Sequence, residues 1–181
     1  MIAAAILVAP AAAHAGLTGT SVSGIYYFPD AATAYSDAVF SPATFTIGAG
    51  EESSVDVEGV TTIHIDFADR ALNIDFDTIL NNPTWTAKPF NGLVFTGTGL
   101  SRINGVTVDP STDFSGFDAS RVSVVGNELR IDWGSLGYTS ASSLGLNFSL
   151  VPEPATWALM LVGFALVGTS LRRRSSGYAT A

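Results

Sequence analysis

Between Gly16 and Leu150 the apolar residues recur at every second position, and no segment there carries a convincing 3.6-residue apolar period. Side chains alternate across the two faces of a strand, so this pattern selects half-buried strands over helices. The clearest case is Thr61-Thr62-Ile63-His64-Ile65-Asp66-Phe67 followed by Leu72-Asn73-Ile74-Asp75-Phe76-Asp77. Ile63, Ile65 and Phe67 share one face with Leu72, Ile74 and Phe76; the polar residues take the other. The four-residue link Ala68-Asp69-Arg70-Ala71 is short enough for a hairpin, and one wet face per strand is the mark of antiparallel pairing.

A second hairpin reads Arg121-Val122-Ser123-Val124-Val125, then Gly126-Asn127, then Glu128-Leu129-Arg130-Ile131-Asp132-Trp133. Val122 and Val124 point inward with Leu129, Ile131 and Trp133, and Gly-Asn suits a two-residue turn that needs positive φ. Leu144, Leu146, Phe148 and Leu150 mark a last strand. Weaker strands are expected around 20–28, 39–47, 54–57, 93–96 and 103–108. Eight to ten strands in about 135 residues pack most economically as an all-β, antiparallel two-sheet sandwich, jelly-roll-like, with a β-barrel as the alternative. No internal repeat is visible, which argues against a solenoid or propeller.

The 181 residues carry 16 acidic and 8 basic groups, a formal charge of −8, and three of the basic ones are Arg172, Arg173 and Arg174. The middle of the chain is therefore strongly acidic and repels nucleic acid, so no nucleic-acid partner is expected. There is no cysteine. Disulfides, thiol catalysis and thiolate metal sites are excluded, and stability must come from the core.

Met1–Ala15 is an apolar run ending in Ala13-His14-Ala15, the A-x-A pattern of signal-peptide cleavage, with the cut expected before Gly16. No Lys or Arg precedes the apolar run, so a start upstream of Met1 is expected. Residues 16–150 then form one extracytoplasmic β domain.

The other end has three physically different parts. Pro152-Glu153-Pro154 comes first, and each proline holds the residue before it extended, leaving a stiff, accessible peptide with one carboxylate. Residues 155–171 follow without a charge. As a helix they cover roughly 25 Å at about 1.5 Å per residue, at the short limit of what spans a bilayer. Trp157 suits the headgroup layer, and Arg172, Arg173 and Arg174 mark the cytoplasmic side, so a C-terminal transmembrane helix and a cytoplasmic tail at 175–181 are expected. Gly163 and Gly168 are five apart and make no G-x-x-x-G packing face.

Pro152-Glu153-Pro154, the apolar helix and the arginine cluster, in that order, resemble the PEP-CTERM sorting signal. The resemblance covers about thirty residues, from Val151 to the end, and the tail 175–181 runs a little longer than the arginine-terminated pattern. It implies a protein of Gram-negative bacteria that make extracellular polysaccharide. It also implies recognition by exosortase, a membrane-embedded, cysteine-protease-like enzyme that cuts near the motif. The implied partners are that enzyme, the inner membrane and exopolysaccharide. The implied location is an inner-membrane anchor with a periplasmic domain before processing, then the cell surface or the extracellular space.

Candidate chemistry in the middle is sparse. His64 is the one histidine left after signal removal; it lies on an outward face, and no G-x-S-x-G elbow exists. Gly97-Thr98-Gly99 lacks the lysine and spacing of a phosphate loop. Asp66, Asp75 and Asp77 could share the wet face of one hairpin, where solvation is the ordinary role of carboxylates. A glycosidase cleft would want several exposed aromatics nearby; Trp85, Trp133 and the Tyr26-Tyr27 pair exist, but periodicity places Trp133 in the core. Asp109, Asp113 and Asp118 form an acidic, glycine-containing loop, a weak calcium candidate without EF-hand spacing, with turn formation as the plainer reading. Asn147-Phe148-Ser149 fits a glycosylation sequon but lies within an expected strand. No cofactor and no enzymatic activity are expected. The expected function is that of an exported surface or extracellular-matrix protein, with a carbohydrate-binding module as the alternative and a secreted hydrolase behind it.

Overall fold

The computed structural model describes residues 16–151 and 160–167. Gly16–Val151 forms one compact unit. Its strands are β1 (Ser21–Tyr27), β2 (Ala38–Ser41), β3 (Thr44–Thr46), β4 (Ser53–Val57), β5 (Thr61–Phe67), β6 (Ala71–Thr78), β7 (Gly92–Thr96), β8 (Ile103–Val108), β9 (Val122–Val125), β10 (Glu128–Asp132) and β11 (Ser143–Leu150), with single 3-10 turns at Thr98–Arg102 and Ala119–Arg121. They make two sheets, β3-β1-β7-β10-β9 and β2-β4-β5-β6-β11-β8, and every neighbouring pair is antiparallel.

The strongest alternations became the central strands. In the β5–β6 hairpin Ile63 pairs with Phe76, Ile65 with Ile74 and Phe67 with Leu72, and all six are buried. Each such side chain contributes roughly 1.5–3 kcal/mol by leaving water. β10 and β11 add Leu129, Ile131, Leu144, Leu146 and Phe148. Rings close the gap between the sheets: Phe67 of one meets Phe95 of the other edge-on at 5.1 Å, and Phe76 meets Trp133 at 5.4 Å. Two sheets with free edges, β3 and β9 in one and β2 and β8 in the other, are a sandwich and not a barrel. β4, β5 and β6 run as successive neighbours in one sheet, and the described strands number eleven, so the order is not that of an eight-stranded jelly roll.

Two details differ from expectation. The strand expected over 39–47 is two strands, with Pro42 between them, and each joins a different sheet. Proline has no N–H to give to a ladder, so pairing stops there and the chain crosses from one sheet to the other. Val122 and Val124 are half-buried, because β9 is an edge strand with a partner on one side only. The β9–β10 turn has positive φ at Gly126 (62°) and not at Asn127.

Among the described residues no helix is long and apolar enough to cross a membrane. The transmembrane helix expected over 155–171 is described only at 160–167, which is helical and exposed. The remainder of that expectation lies outside the described residues, as do the signal peptide Met1–Ala15 and the tail 175–181.

Candidate functional site

β11 carries the chain to the proposed sorting signal, and it is an interior strand, paired with β6 on one side and β8 on the other. Its inward side chains, Leu144, Leu146 and Phe148, are buried. Leu150 still pairs with Ile103, and the Val151 N–H donates to the Arg102 carbonyl at 2.8 Å. Pro152 is the next residue. No slack segment separates the sheet from the Pro-Glu-Pro tripeptide.

The other entry to the unit lies at the same end. The Arg102 guanidinium donates through Nη2 to the Gly16 carbonyl. The N–H of Leu17 donates to the Asp69 carbonyl at 2.8 Å and that of Thr18 to the Asp69 carboxylate at 3.2 Å. Asp69 belongs to the β5–β6 turn, so Gly16, Val151 and that turn share one pole of the sandwich. A Cβ at Gly16 would overlap the Asp69 carboxylate, so this close approach needs glycine. Of the expected cleavage residues Gly16 is therefore placed, while Ala13 and Ala15 lie outside the described residues. Pro152, Glu153, Pro154, Arg172, Arg173 and Arg174 lie outside them as well.

The weak calcium candidates do not converge. Asp109 closes its own turn, accepting from the Ser111 N–H at 2.9 Å and hydroxyl at 2.6 Å and from Asn147 Nδ2 at 2.8 Å. Asp113 makes a backbone bridge with Ser143. Asp118 caps the Ala119–Arg121 turn, accepting from the Ser120 N–H at 2.8 Å and hydroxyl at 2.5 Å. Among the described residues no group of three His, Asp or Glu side chains is placed to hold a metal ion. Short Asx turns explain the spacing of these aspartates.

These bonds have a measurable consequence. The Ser111 hydroxyl, then the Ser111 N–H and Asn147, hold the exposed Asp109 carboxyl down at about 2, against an ordinary 3.8. A depressed carboxyl contributes stability that is complete above the ordinary value and is lost as pH falls through the folded value, here between about 4 and about 2. Carbon-detected NMR titration should place the Asp109 midpoint near 2, and Asn147→Ala should raise it. An unchanged midpoint in that variant would show that Asn147 does not hold the charge.

Elsewhere, His64 Nδ1 lies 3.0 Å from the Glu51 carboxylate on the outer face, both side chains being exposed. Asp75 is opposite His64, Asp77 opposite Thr62 and Asp66 opposite Asn73 across the β5–β6 pair. Trp133 is in the core, and Tyr26 and Trp85 are buried as well. Periodicity did not mark the loop residues Tyr35, Glu58 and Tyr138, which gather around Trp85 at the opposite pole. The one hint was the Glu58-Gly59 dipeptide, a turn signal.

A family model for the PEP-CTERM protein-sorting motif matches residues 150–174. No curated protein and no solved structure matches the chain. The matched stretch starts on the last residue of β11 and runs through Pro152, Glu153 and Pro154 to Arg174. A motif of this kind supports exosortase-dependent sorting to the cell surface, and exosortase is the processing partner it implies. The chain is thus a PEP-CTERM domain-containing protein, with its sorting motif at residues 150–174.

Proposed function

We propose that this chain is exported cargo that exosortase releases at the surface. In this reading Met1–Ala15 leads it out and is cut before Gly16. Residues 155–171 span the inner membrane, with Arg172, Arg173 and Arg174 on the cytoplasmic side. Cleavage near Pro152, Glu153 and Pro154 frees the Gly16–Val151 unit to join the cell surface or an exopolysaccharide matrix, where it serves as a structural or binding protein and not as an enzyme. The observation that carries the reading is the motif match at 150–174, continuous with β11. The shared pole of Gly16 and Val151 supports it too. A domain whose leader and anchor enter the same bilayer without linkers needs both exits on one side.

The test is the intact mass of the mature protein in strains with and without the processing enzyme. With the enzyme, the released protein should end close to Pro152–Glu153–Pro154. Without it, the chain should stay in the membrane fraction with 155–174 attached. The same C-terminal residue in both strains would overturn the reading. A second reading, a carbohydrate-binding module, is favoured by one observation: an aromatic-lined cavity at the pole of the Gly16–Val151 unit opposite Val151.

A further inference from the structure

At the pole where β11 begins, loops from both sheets meet: the segment after β1, the β4–β5 turn, the segment after β6 and the loop before β11. They enclose a cavity of about 140 Å³, lined in part by Phe28, Tyr35, Glu58, Leu80, Trp85 and Tyr138. Trp85 and Tyr138 are the buried part of the wall, stacked at 4.4 Å with 10° between their planes. Phe28 and Tyr35 meet edge-on at 5.4 Å and are half-buried, so their rings keep open surface. Glu58 and Leu80 are exposed.

Several polar groups of the wall are paired with one another. The Tyr26 hydroxyl donates to Asn91 Oδ1 at 2.6 Å, and Asn91 Nδ2 donates to the Thr86 carbonyl at 3.0 Å. The Tyr138 hydroxyl and Thr61 Oγ1 are hydrogen-bonded at 2.7 Å, and the Tyr35 hydroxyl donates to Glu58 Oε1. What these bonds leave uncompensated is charge. Glu58 carries a carboxylate, and none of the lining residues is a Lys, Arg or His. The hydrogen bond to Glu58, then partial burial and the charges of Glu58 and Asp37, push the Tyr35 hydroxyl up to about 12. The Glu58 charge also raises the Tyr138 hydroxyl, behind the larger effect of burial, so its field reaches the buried part of the wall. The Gly16–Val151 unit holds all but one of the chain's 16 acidic groups and none of Arg172, Arg173 and Arg174, which deepens that negative potential.

These features narrow the ligand. An anion is disfavoured by the sign of the potential. Rings beside a carboxylate attract an organic cation, through the negative ring faces and the charge of Glu58 together. A primary ammonium brings three N–H donors, each of which needs an acceptor when desolvated. The acceptors of Asn91, Thr61 and Tyr138 already have partners in the wall. A quaternary ammonium brings no donor. Its methyl groups can pack on Phe28, Tyr35 and Leu80, and its charge is met by Glu58 across space, with the Tyr35 hydrogen bond left in place. We infer that this cavity binds the quaternary ammonium group of a small choline-like solute. The inference goes beyond both readings of the exported domain and depends on neither.

Full-length chain in a polyoxyethylene detergent, which has no charged headgroup, should be titrated by calorimetry and saturation-transfer NMR. The probes are choline and tetramethylammonium. The comparators are 3,3-dimethylbutanol, which has the shape of choline without its charge, then butylammonium and glucose. At least one quaternary cation should bind with Kd on the order of 1 mM or tighter, and choline about tenfold more tightly than the neutral alcohol. Glu58→Gln keeps an acceptor for Tyr35 and removes the charge, so it should keep the fold by circular dichroism. It should weaken choline about tenfold and leave the alcohol unchanged. Phe28→Leu keeps an apolar side chain and removes a ring, and should weaken choline about threefold more than the alcohol. Choline and 3,3-dimethylbutanol bound equally by the wild type would overturn the inference, as would tighter binding of butylammonium or glucose, or no binding of either quaternary cation. Choline bound equally by wild type and both variants would overturn this site.

Discussion

Alanine at Pro152, Glu153 and Pro154 together is expected to leave the chain at full length in the membrane fraction, with release into the medium falling to background. The argument is conformational and electrostatic. The Val151 N–H is bonded to Arg102 and Pro152 follows at once, which holds Val151 extended. Alanine is the best helix former, and three of them remove the barrier to a helix running back towards residue 151. The extended form and the single carboxylate would then both be lost to an enzyme that reads them. Glu153→Gln separates the two causes, since it keeps the shape and removes the charge. Folding of the sheets should be unchanged by circular dichroism, because β11 is complete at Leu150. Normal release of the triple-alanine chain would defeat the sorting reading.

Trp133→Ala should cost about 3–5 kcal/mol of stability, measured by chemical denaturation, and lower Tm by about 10 °C or more. Trp133 is fully buried, with its ring 5.9 Å from Tyr26, 5.4 Å from Phe76 and 5.7 Å from Trp85. It therefore joins a strand of each sheet to Trp85 in the wall of the aromatic-lined cavity. Its indole N–H donates to the Tyr26 hydroxyl at 2.9 Å, which donates to Asn91 Oδ1 at 2.6 Å. Burial pushes the Tyr26 hydroxyl far above its ordinary range, so it stays a neutral donor. A domain of this size has roughly 5–15 kcal/mol in all, so the loss is a large fraction of the total. Trp133→Phe keeps most of the volume and drops the N–H, and should cost about 1–2 kcal/mol. Equal losses from the two variants would show that the hydrogen bond, and not the packed ring, holds the sheets together.

The two hairpins were readable because alternation is a local property. In 61–67 and 72–77 each residue's face follows from its neighbour two positions away, and burial followed that order without exception at Ile63, Ile65, Phe67, Leu72, Ile74 and Phe76. The edge status of β9 was not readable, since Val122 and Val124 alternate as well as any interior strand would. The sorting motif was readable for a different reason: its recognition is linear, and Pro152, Glu153 and Pro154 carry their geometry in their own covalent structure. The hydrogen bonds from Val151 to Arg102 and from Arg102 to Gly16 were hidden, because they join residues far apart in sequence.

By itself, then, the order of residues determined which segments are strands, which of their faces are apolar, and the tripeptide that exosortase is expected to read. Tertiary structure decided that Pro42 passes the chain between sheets, that both exits share a pole, and that Tyr35, Glu58, Trp85 and Tyr138 meet at the other. The first set depends on backbone dihedrals and a two-residue repeat, which act between neighbours. The second depends on how two apolar faces come together, and only the packed sandwich places side chains a hundred residues apart around one cavity.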